Sequence, residues 1–160
     1  NMEPVEESFT VTRGAAIRSV SSLGGTEMTS LADLQGMVGG IITDHAYMST
    51  SVGPKPAFDS KPMWLKIRVP KGSKAMYVGY GSKKGKASDI YDTYSSHPSE
   101  REVVLPRGTK MYVHKVYSEN HYGSSKVMVE VEIVPDDWTP NSDKSSADYA
   151  GVTTQAQPKD

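Results

Sequence analysis

The chain has 160 residues, a length suited to one domain. Its 18 basic and 19 acidic residues give a net charge of -1, so no surplus of one sign is available to bind nucleic acid or a membrane surface. It has no cysteine, which excludes disulfides and thiolate metal sites. It also has no uninterrupted apolar run long enough to span a bilayer. The four histidines show no metal-ligand spacing, so we expect no metal.

The first part of the chain predicts a strand and then a short helix. Residues 8–13 alternate polar residues with β-branched and aromatic ones, which predicts a strand ending at Gly14. Either Thr29 or Ser30 can cap a short helix over residues 31–37, which the following glycines end.

The next stretch predicts a second strand and a loop. Residues 47–52 are typical of a strand that puts Ser49 and Ser51 on one face and Thr50 on the other. Residues 53–62 contain three prolines and one aromatic residue, which favours an ordered loop.

From there the chain is mostly β. Strands are predicted at residues 64–69, 76–80, 99–105, 109–117 and 125–134, with a short helix at 88–94 and a hairpin turn within 118–124. In the last strand we expect Val127, Val129, Val131 and Ile133 to face inward and Lys126, Glu130 and Glu132 to face outward. Residues 1–138 form the predicted domain, and residues 139–160 form a polar tail or linker.

Two features leave more than one interpretation open on their residues alone. Glu100 and Glu102 lie on one face of a strand, where they either serve a site or are solvated; taken alone, the stretch favours solvation because burying two carboxylates is costly. Arg13, at a strand end, is either a surface charge or a phosphate clamp, since a guanidinium matches phosphate oxygens bidentately.

In their order, these features resemble a known family. Arg13-Gly14, Ser49-Thr50-Ser51 and Glu100-x-Glu102 are similar to the motifs of the mono-ADP-ribosyltransferases of the arginine-serine-glutamate class, which include clostridial binary-toxin subunits and bacteriophage enzymes. Residues 46–52 look like the family's aromatic-x-Ser-Thr-Ser motif, and residues 99–108 look like its Glu-x-Glu strand and following turn. The resemblance covers residues 9–134.

The resemblance implies an α+β, mainly β fold: a split two-sheet ADP-ribosyltransferase-type core with few short helices around an NAD cleft. NAD would be the co-substrate, bound by Arg13, Gly14, Ser49, Thr50, Ser51 and Phe58. Arg13 would hold a phosphate or ribose, and the Gly14 backbone would grip the nicotinamide amide, a close approach that a missing Cβ allows. Phe58 would cover the nicotinamide, and Ser49 would orient Glu102.

The resemblance also implies the chemistry. Glu102 would stabilise the positive charge on the ribose as the bond to nicotinamide breaks. Glu100 would orient and deprotonate the acceptor, and since family members with Gln there modify uncharged groups, Glu100 favours arginine of a target protein. Residues 91–99, and Tyr94 above all, would recognise the target. The enzyme would act in the cytoplasm of a phage-infected host or a toxin-targeted cell, with no membrane or nucleic-acid partner.

The sequence departs from the family pattern in one way. Family members carry helices ahead of the strand that bears the arginine, whereas only eight residues precede Phe9 here. A second phosphate-binding basic residue has two candidates, Lys61 and Arg68.

Three alternatives stay open. An NAD glycohydrolase on the same scaffold would use water as the acceptor. A non-catalytic β-sandwich module, for instance of a phage structural protein, would leave both glutamates solvated. A retaining glycosidase is a distant third, because its two carboxylates usually come from different strands about 5 Å apart.

Overall fold

The computed structural model describes residues 2–52, 56–78 and 102–136. Within these ranges the strands are β1 (Glu3–Pro4), β2 (Phe9–Ala15), β3 (Val20–Ser22), β4 (Ile41–Asp44), β5 (Met48–Ser51), β6 (Met63–Val69), β7 (Lys74–Val78), β8 (Glu102–Leu105), β9 (Thr109–His121) and β10 (Ser124–Ile133). The helix α1 spans Leu31–Gln35, and a 3-10 turn at Ile17–Ser19 leads into β3. The predicted helix at 88–94, residues 99–101 of the predicted strand at 99–105, and the predicted tail at 139–160 lie outside the described residues.

The ten strands of the described ranges form one curled, mixed sheet in the order β1-β7-β8-β5-β2-β6-β10-β9-β4-β3. β6 and β10 are parallel, and every other pair of neighbouring strands is antiparallel. β2 and β5 share a single register pair, Thr12 opposite Ser51. The predicted mainly β fold with a short helix is therefore confirmed. The prediction of two separate sheets is wrong: the strands form one sheet, in which β2 and β5 are joined by a single residue pair.

The helix α1 begins at a capping residue that the sequence left undecided. Ser30 is the N-cap, and its Oγ accepts a hydrogen bond from the Asp33 backbone N–H at 3.1 Å. Asp33 in turn accepts from the Thr29 backbone N–H and hydroxyl, at 2.9 and 2.8 Å. These bonds lower the pKa of Asp33 because they stabilise its charged form, and the bond from the Thr29 backbone N–H has the largest effect. Leu34 anchors the helix in the core, with no exposed surface.

The core lies on one face of the sheet and follows from strand alternation. Val11 of β2, Leu65 and Ile67 of β6, and Val103 of β8 are all fully buried on it. Each such side chain contributes about 1.5–3 kcal/mol on burial. The inward residues predicted for β10 include Val129, Val131 and Ile133, which belong to the same core cluster, and this part of the prediction is confirmed; Val127 packs against the cluster while half-buried.

The other face of β10 is not as exposed as the sequence predicts. Lys126 and Glu132, expected to point to solvent, are only 7% and 1% exposed. Glu132 lies against His114, with 3.0 Å between Oε1 and Nε2, and faces the guanidinium of Arg68 at 4.0 Å. A register shift in the β9–β10 ladder leaves His114 as the extra residue, and such bulges re-aim side chains.

The last hairpin is tighter than predicted. Residues 118–121, expected in the connector, pair with β10, and the turn consists of Tyr122 and Gly123. Their φ values of 55° and 80° match a two-residue turn with positive φ at both positions, which suits the twist of the flanking strands. The short strands β1, β3 and β4 were not predicted. No helix within the described ranges is long and apolar enough to cross a membrane.

Candidate active site

Arg13 lies on β2 next to the point where β2 meets β5. Its Nη1 donates a hydrogen bond to the Ser49 carbonyl oxygen at 3.0 Å, and its guanidinium carbon lies 5.5 Å from the centre of the Phe58 ring. Its Nε is buried and has no hydrogen-bond partner among the described residues. A guanidinium has five N–H donors in a fixed fork, so Arg13 is oriented by the protein while retaining donors for an anionic ligand.

Gly14 is covered by the segment that precedes β6. The backbone N–H of Gly14 donates to the Ala57 carbonyl oxygen at 2.5 Å. A Cβ at position 14 would overlap the carbonyl oxygen of Phe58. Glycine is therefore required here by the close approach of the chain's own residues 57–58. The Gly14 N–H is thus already engaged within the chain, and its predicted contact with a nicotinamide amide stays a prediction.

Phe58 has an unusual backbone for a large residue. Its φ is 59°, in the left-handed region, and its side chain is 54% exposed. Such a conformation costs on the order of 1–3 kcal/mol and persists where surrounding contacts impose it. Phe58 therefore lies over the Arg13 guanidinium while more than half of it is exposed.

The strand register brings both serines to the face that carries Glu102. Ser51 pairs directly with Glu102, and Ser49 pairs with Val104, so Ser49 is the diagonal neighbour of Glu102. Directly opposed side chains have Cβ atoms about 4.5–5.5 Å apart, and diagonal ones lie about 7–8 Å apart. Ser51 thus lies nearer to Glu102 than Ser49, the residue predicted to orient it.

Thr50 points the other way. It is fully buried, and its Oγ1 donates to the Val103 carbonyl oxygen at 2.6 Å. Its side chain therefore ties β5 to β8 on the core side, and only its backbone lies at the site. The alternation predicted from the sequence for these three residues is confirmed.

Of the other predicted site residues, Glu100 and Tyr94 lie outside the described residues. Arg68 faces the buried Glu132 and pairs with Thr10, three residues along β6 from Leu65, the partner of Arg13. Three residues of strand span about 10 Å. Lys61 belongs to the segment that carries Phe58, and its predicted phosphate contact stays a prediction.

Residues 57–61 form the segment that lies over Arg13. Two residues that the sequence analysis missed hold this segment in place. Trp64 Nε1 donates to the Asp59 carbonyl at 2.9 Å. The Lys126 ammonium donates to the carbonyls of Ser60 and Lys61, at 3.2 and 2.9 Å. No local pattern predicts the Lys126 contacts, because the parallel pairing of β6 with β10 joins residues far apart in the chain.

A cleft of about 1080 Å³ borders this face of the sheet. It is lined by Val104, which pairs with Ser49, and by Tyr47, the residue before β5. The guanidinium carbon of Arg107 lies 5.1 Å from the Tyr47 ring centre. Arg13, Phe58 and Glu102 are not among the described residues that line this cleft, so it is separate from the candidate active site.

Comparison with known proteins gives matches to one family and to its solved structures. The family described as ADP-ribosyltransferase exoenzyme matches residues 1–135. The C3larvin toxin of Paenibacillus larvae, an ADP-ribosyltransferase, is 26% identical, with 82% of this chain and 68% of that chain covered and a TM-score of 0.55. Among curated proteins no match was found.

Two further solved structures show the same fold at lower identity. C3stau2 from S. aureus, solved with NAD, is 24% identical over 83% of this chain and 65% of its own, with a TM-score of 0.55. The enzymatic component C2-I of the Clostridium botulinum C2 toxin is 12% identical over 82% of this chain and 32% of its own, with a TM-score of 0.53. The chain thus spans about two thirds of the C3-type structures and one third of C2-I.

Proposed function

Because the chain belongs to the ADP-ribosyltransferase exoenzyme family, we propose that it transfers ADP-ribose from NAD to arginine side chains of a target protein and releases nicotinamide. The observation that carries the proposal is the convergence of three elements at the narrow point of the sheet. Arg13 is bonded to the Ser49 carbonyl there, and the β5–β8 register puts Ser51 opposite Glu102.

The residues present fit NAD as a substrate. Arg13 has a buried Nε without a partner among the described residues, which a phosphate or ribose oxygen would satisfy. The exposed ring of Phe58 offers a stacking surface for the nicotinamide. Lys61 is the second cation proposed for the phosphates. Bound NAD supplies the glycosidic bond that the reaction breaks, and the protein supplies the charges around it.

Glu102 is proposed as the residue that stabilises the positive charge developing on the ribose. A fixed carboxylate does this without reorganisation, and removing one such preorganised group commonly costs about 10²–10³ in rate. Ser51 and Ser49, on the same face, are proposed to hold Glu102 and the ribose in place. Ser51 is the better placed of the two to orient Glu102, since it is the direct register partner.

Glu100 is proposed to select the acceptor. A guanidinium is always charged near neutral pH, so it needs an anion to orient it and to take its proton during transfer. Tyr94 and the loop around it are proposed to contact the target protein. On the family relationship alone, we propose that the protein acts in the cytoplasm of a target cell.

The experiment compares two rates on one Glu100→Gln preparation: ADP-ribose transfer to agmatine, and nicotinamide release without acceptor. Transfer is expected to collapse while release survives, because water needs no carboxylate to orient it. Glu119→Gln, on exposed β9, is the matched control and is expected to leave both rates unchanged.

Each other outcome rejects part of the proposal. Equal loss of both rates in Glu100→Gln would assign Glu100 to NAD cleavage, and equal retention would mean that the acceptor is not arginine. Release without transfer by the unmodified chain, to agmatine and to protein acceptors, would identify an NAD glycohydrolase. Near-normal release in Glu102→Gln would reject the central role of Glu102.

A further inference from the structure

The segment over Arg13 is held in place by hydrogen bonds to three consecutive carbonyl oxygens, those of residues 59–61. The carbonyl of Asp59 accepts from Trp64, and the carbonyls of Ser60 and Lys61 both accept from the ammonium of Lys126. Behind them, the Lys61 backbone N–H donates to the Phe58 carbonyl at 3.1 Å, which closes a turn directly after Phe58.

Lys126 is unusual in its burial. It is 7% exposed, and its Nζ lies 5.7 Å from the centre of the Trp64 ring. Trp64 is itself 6% exposed and packs against His121, with 4.4 Å between ring centres and 37° between the ring planes. A lysine seldom gives up hydration unless its ammonium is fully engaged, and here two peptide carbonyls and an aromatic face replace water.

This arrangement connects β10 to the site through a short path. Lys126 fixes residues 60 and 61, the turn fixes Phe58, and the residue before it, Ala57, accepts the Gly14 N–H. Phe58 has a positive φ, so the segment needs outside contacts to keep this shape.

We propose that Lys126, assisted by Trp64, is a positioning residue that sets Phe58 over Arg13 and thereby sets the affinity for the nicotinamide end of NAD. Lys126 does not touch the substrate; it acts through the carbonyls of residues 60 and 61. Where NAD is concerned, the inference rests on the proposed function, whereas the holding of the segment does not depend on it.

The first measurement uses the chain without NAD. Amide hydrogen exchange is followed residue by residue in Lys126→Met, which keeps the length of the side chain and removes the ammonium. We expect the Gly14 and Lys61 amides to exchange at least about tenfold faster, because the bonds that protect them open more often. Lys115→Met, an exposed lysine on β9, is the matched control and is expected to leave both amides unchanged.

Two further variants keep the test decisive. Trp64→Phe keeps an aromatic side chain but loses the Nε1 donor together with the pyrrole part of the indole. It should accelerate the same amides to a smaller extent even where Lys126→Met does not fold. Lys126→Arg restores a donor to the carbonyls and should return exchange towards the original rate. Unchanged exchange at Gly14 and Lys61 in both Lys126→Met and Trp64→Phe would overturn the proposal. Equal acceleration along the whole of β10 would overturn it too, since it indicates general destabilisation.

The second measurement is steady-state nicotinamide release. Lys126→Met should raise the KM for NAD about tenfold with kcat changed less than about threefold, and Lys126→Arg should recover most of the affinity. A lower kcat at unchanged KM would contradict a role in positioning Phe58 for binding. If the unmodified chain releases no nicotinamide, the proposed function fails, while the exchange measurement still decides whether Lys126 holds the segment.

Discussion

Replacing Gly14 by alanine tests directly whether the backbone of residues 57–58 lies against Gly14 of β2. The new Cβ would lie 2.8 Å from the Phe58 carbonyl carbon and 3.3 Å from the Ala57 carbonyl oxygen, and would overlap the Phe58 carbonyl oxygen. These are backbone atoms, so no flexible side-chain end can move aside. Either β2 or the segment must shift.

The magnitude follows from the cost of overpacking a filled site, about 1–3 kcal/mol. For a chain of this length, each kcal/mol lowers Tm by about 2–4 °C, so Gly14→Ala should melt about 2–12 °C lower. Gly24→Ala is the matched control, because the nearest atom to its added Cβ would be Ser22 Oγ at 4.0 Å. Its Tm should stay the same or rise slightly, since alanine restricts the unfolded chain.

The assay is thermal unfolding followed by circular dichroism, with calorimetric titration of NAD on the same samples. We expect Gly14→Ala to lose both stability and NAD affinity, because the displaced segment carries Phe58 away from Arg13. If Gly14→Ala melts like Gly24→Ala and binds NAD as the original chain does, the close approach of residues 57–58 to β2 is wrong.

Three further predictions concern single contacts. Arg13→Ala should weaken NAD binding at least about tenfold in calorimetric titration, because a charge-assisted contact is lost, and unchanged affinity would remove Arg13 from the site. Thr50→Val should lower the unfolding free energy by about 1 kcal/mol in urea titration, because the bond to the Val103 carbonyl is lost, with KM for NAD unchanged. Asp33→Asn should be less stable than the original chain near neutral pH. The lowered pKa of Asp33, caused by its bonds from Thr29, gives stability that is present above the unfolded pKa and lost as pH falls through the folded one, so the two proteins should converge in acid.

The order of the site motifs and the alternation within each strand could be predicted from the sequence. Alternation is a local property of an extended chain, so Ser49, Thr50 and Ser51 could be divided between the two faces before any pairing was known. The cap at Ser30 and the strand ending near Gly14 likewise depend on residues within a few positions of one another.

The strand register and the position of the loop before β6 depend on contacts between distant residues, and only the tertiary structure decides them. The β5–β8 ladder makes Ser51 the direct partner of Glu102, and a shift by one residue would have put Glu102 opposite a core position. The parallel pairing of β6 with β10 brings Lys126 to the carbonyls of residues 60 and 61, and so buries a lysine that its neighbours in sequence mark as exposed. Alternation assigns a side chain to a face of the sheet, but residues from distant parts of the chain decide what covers that face.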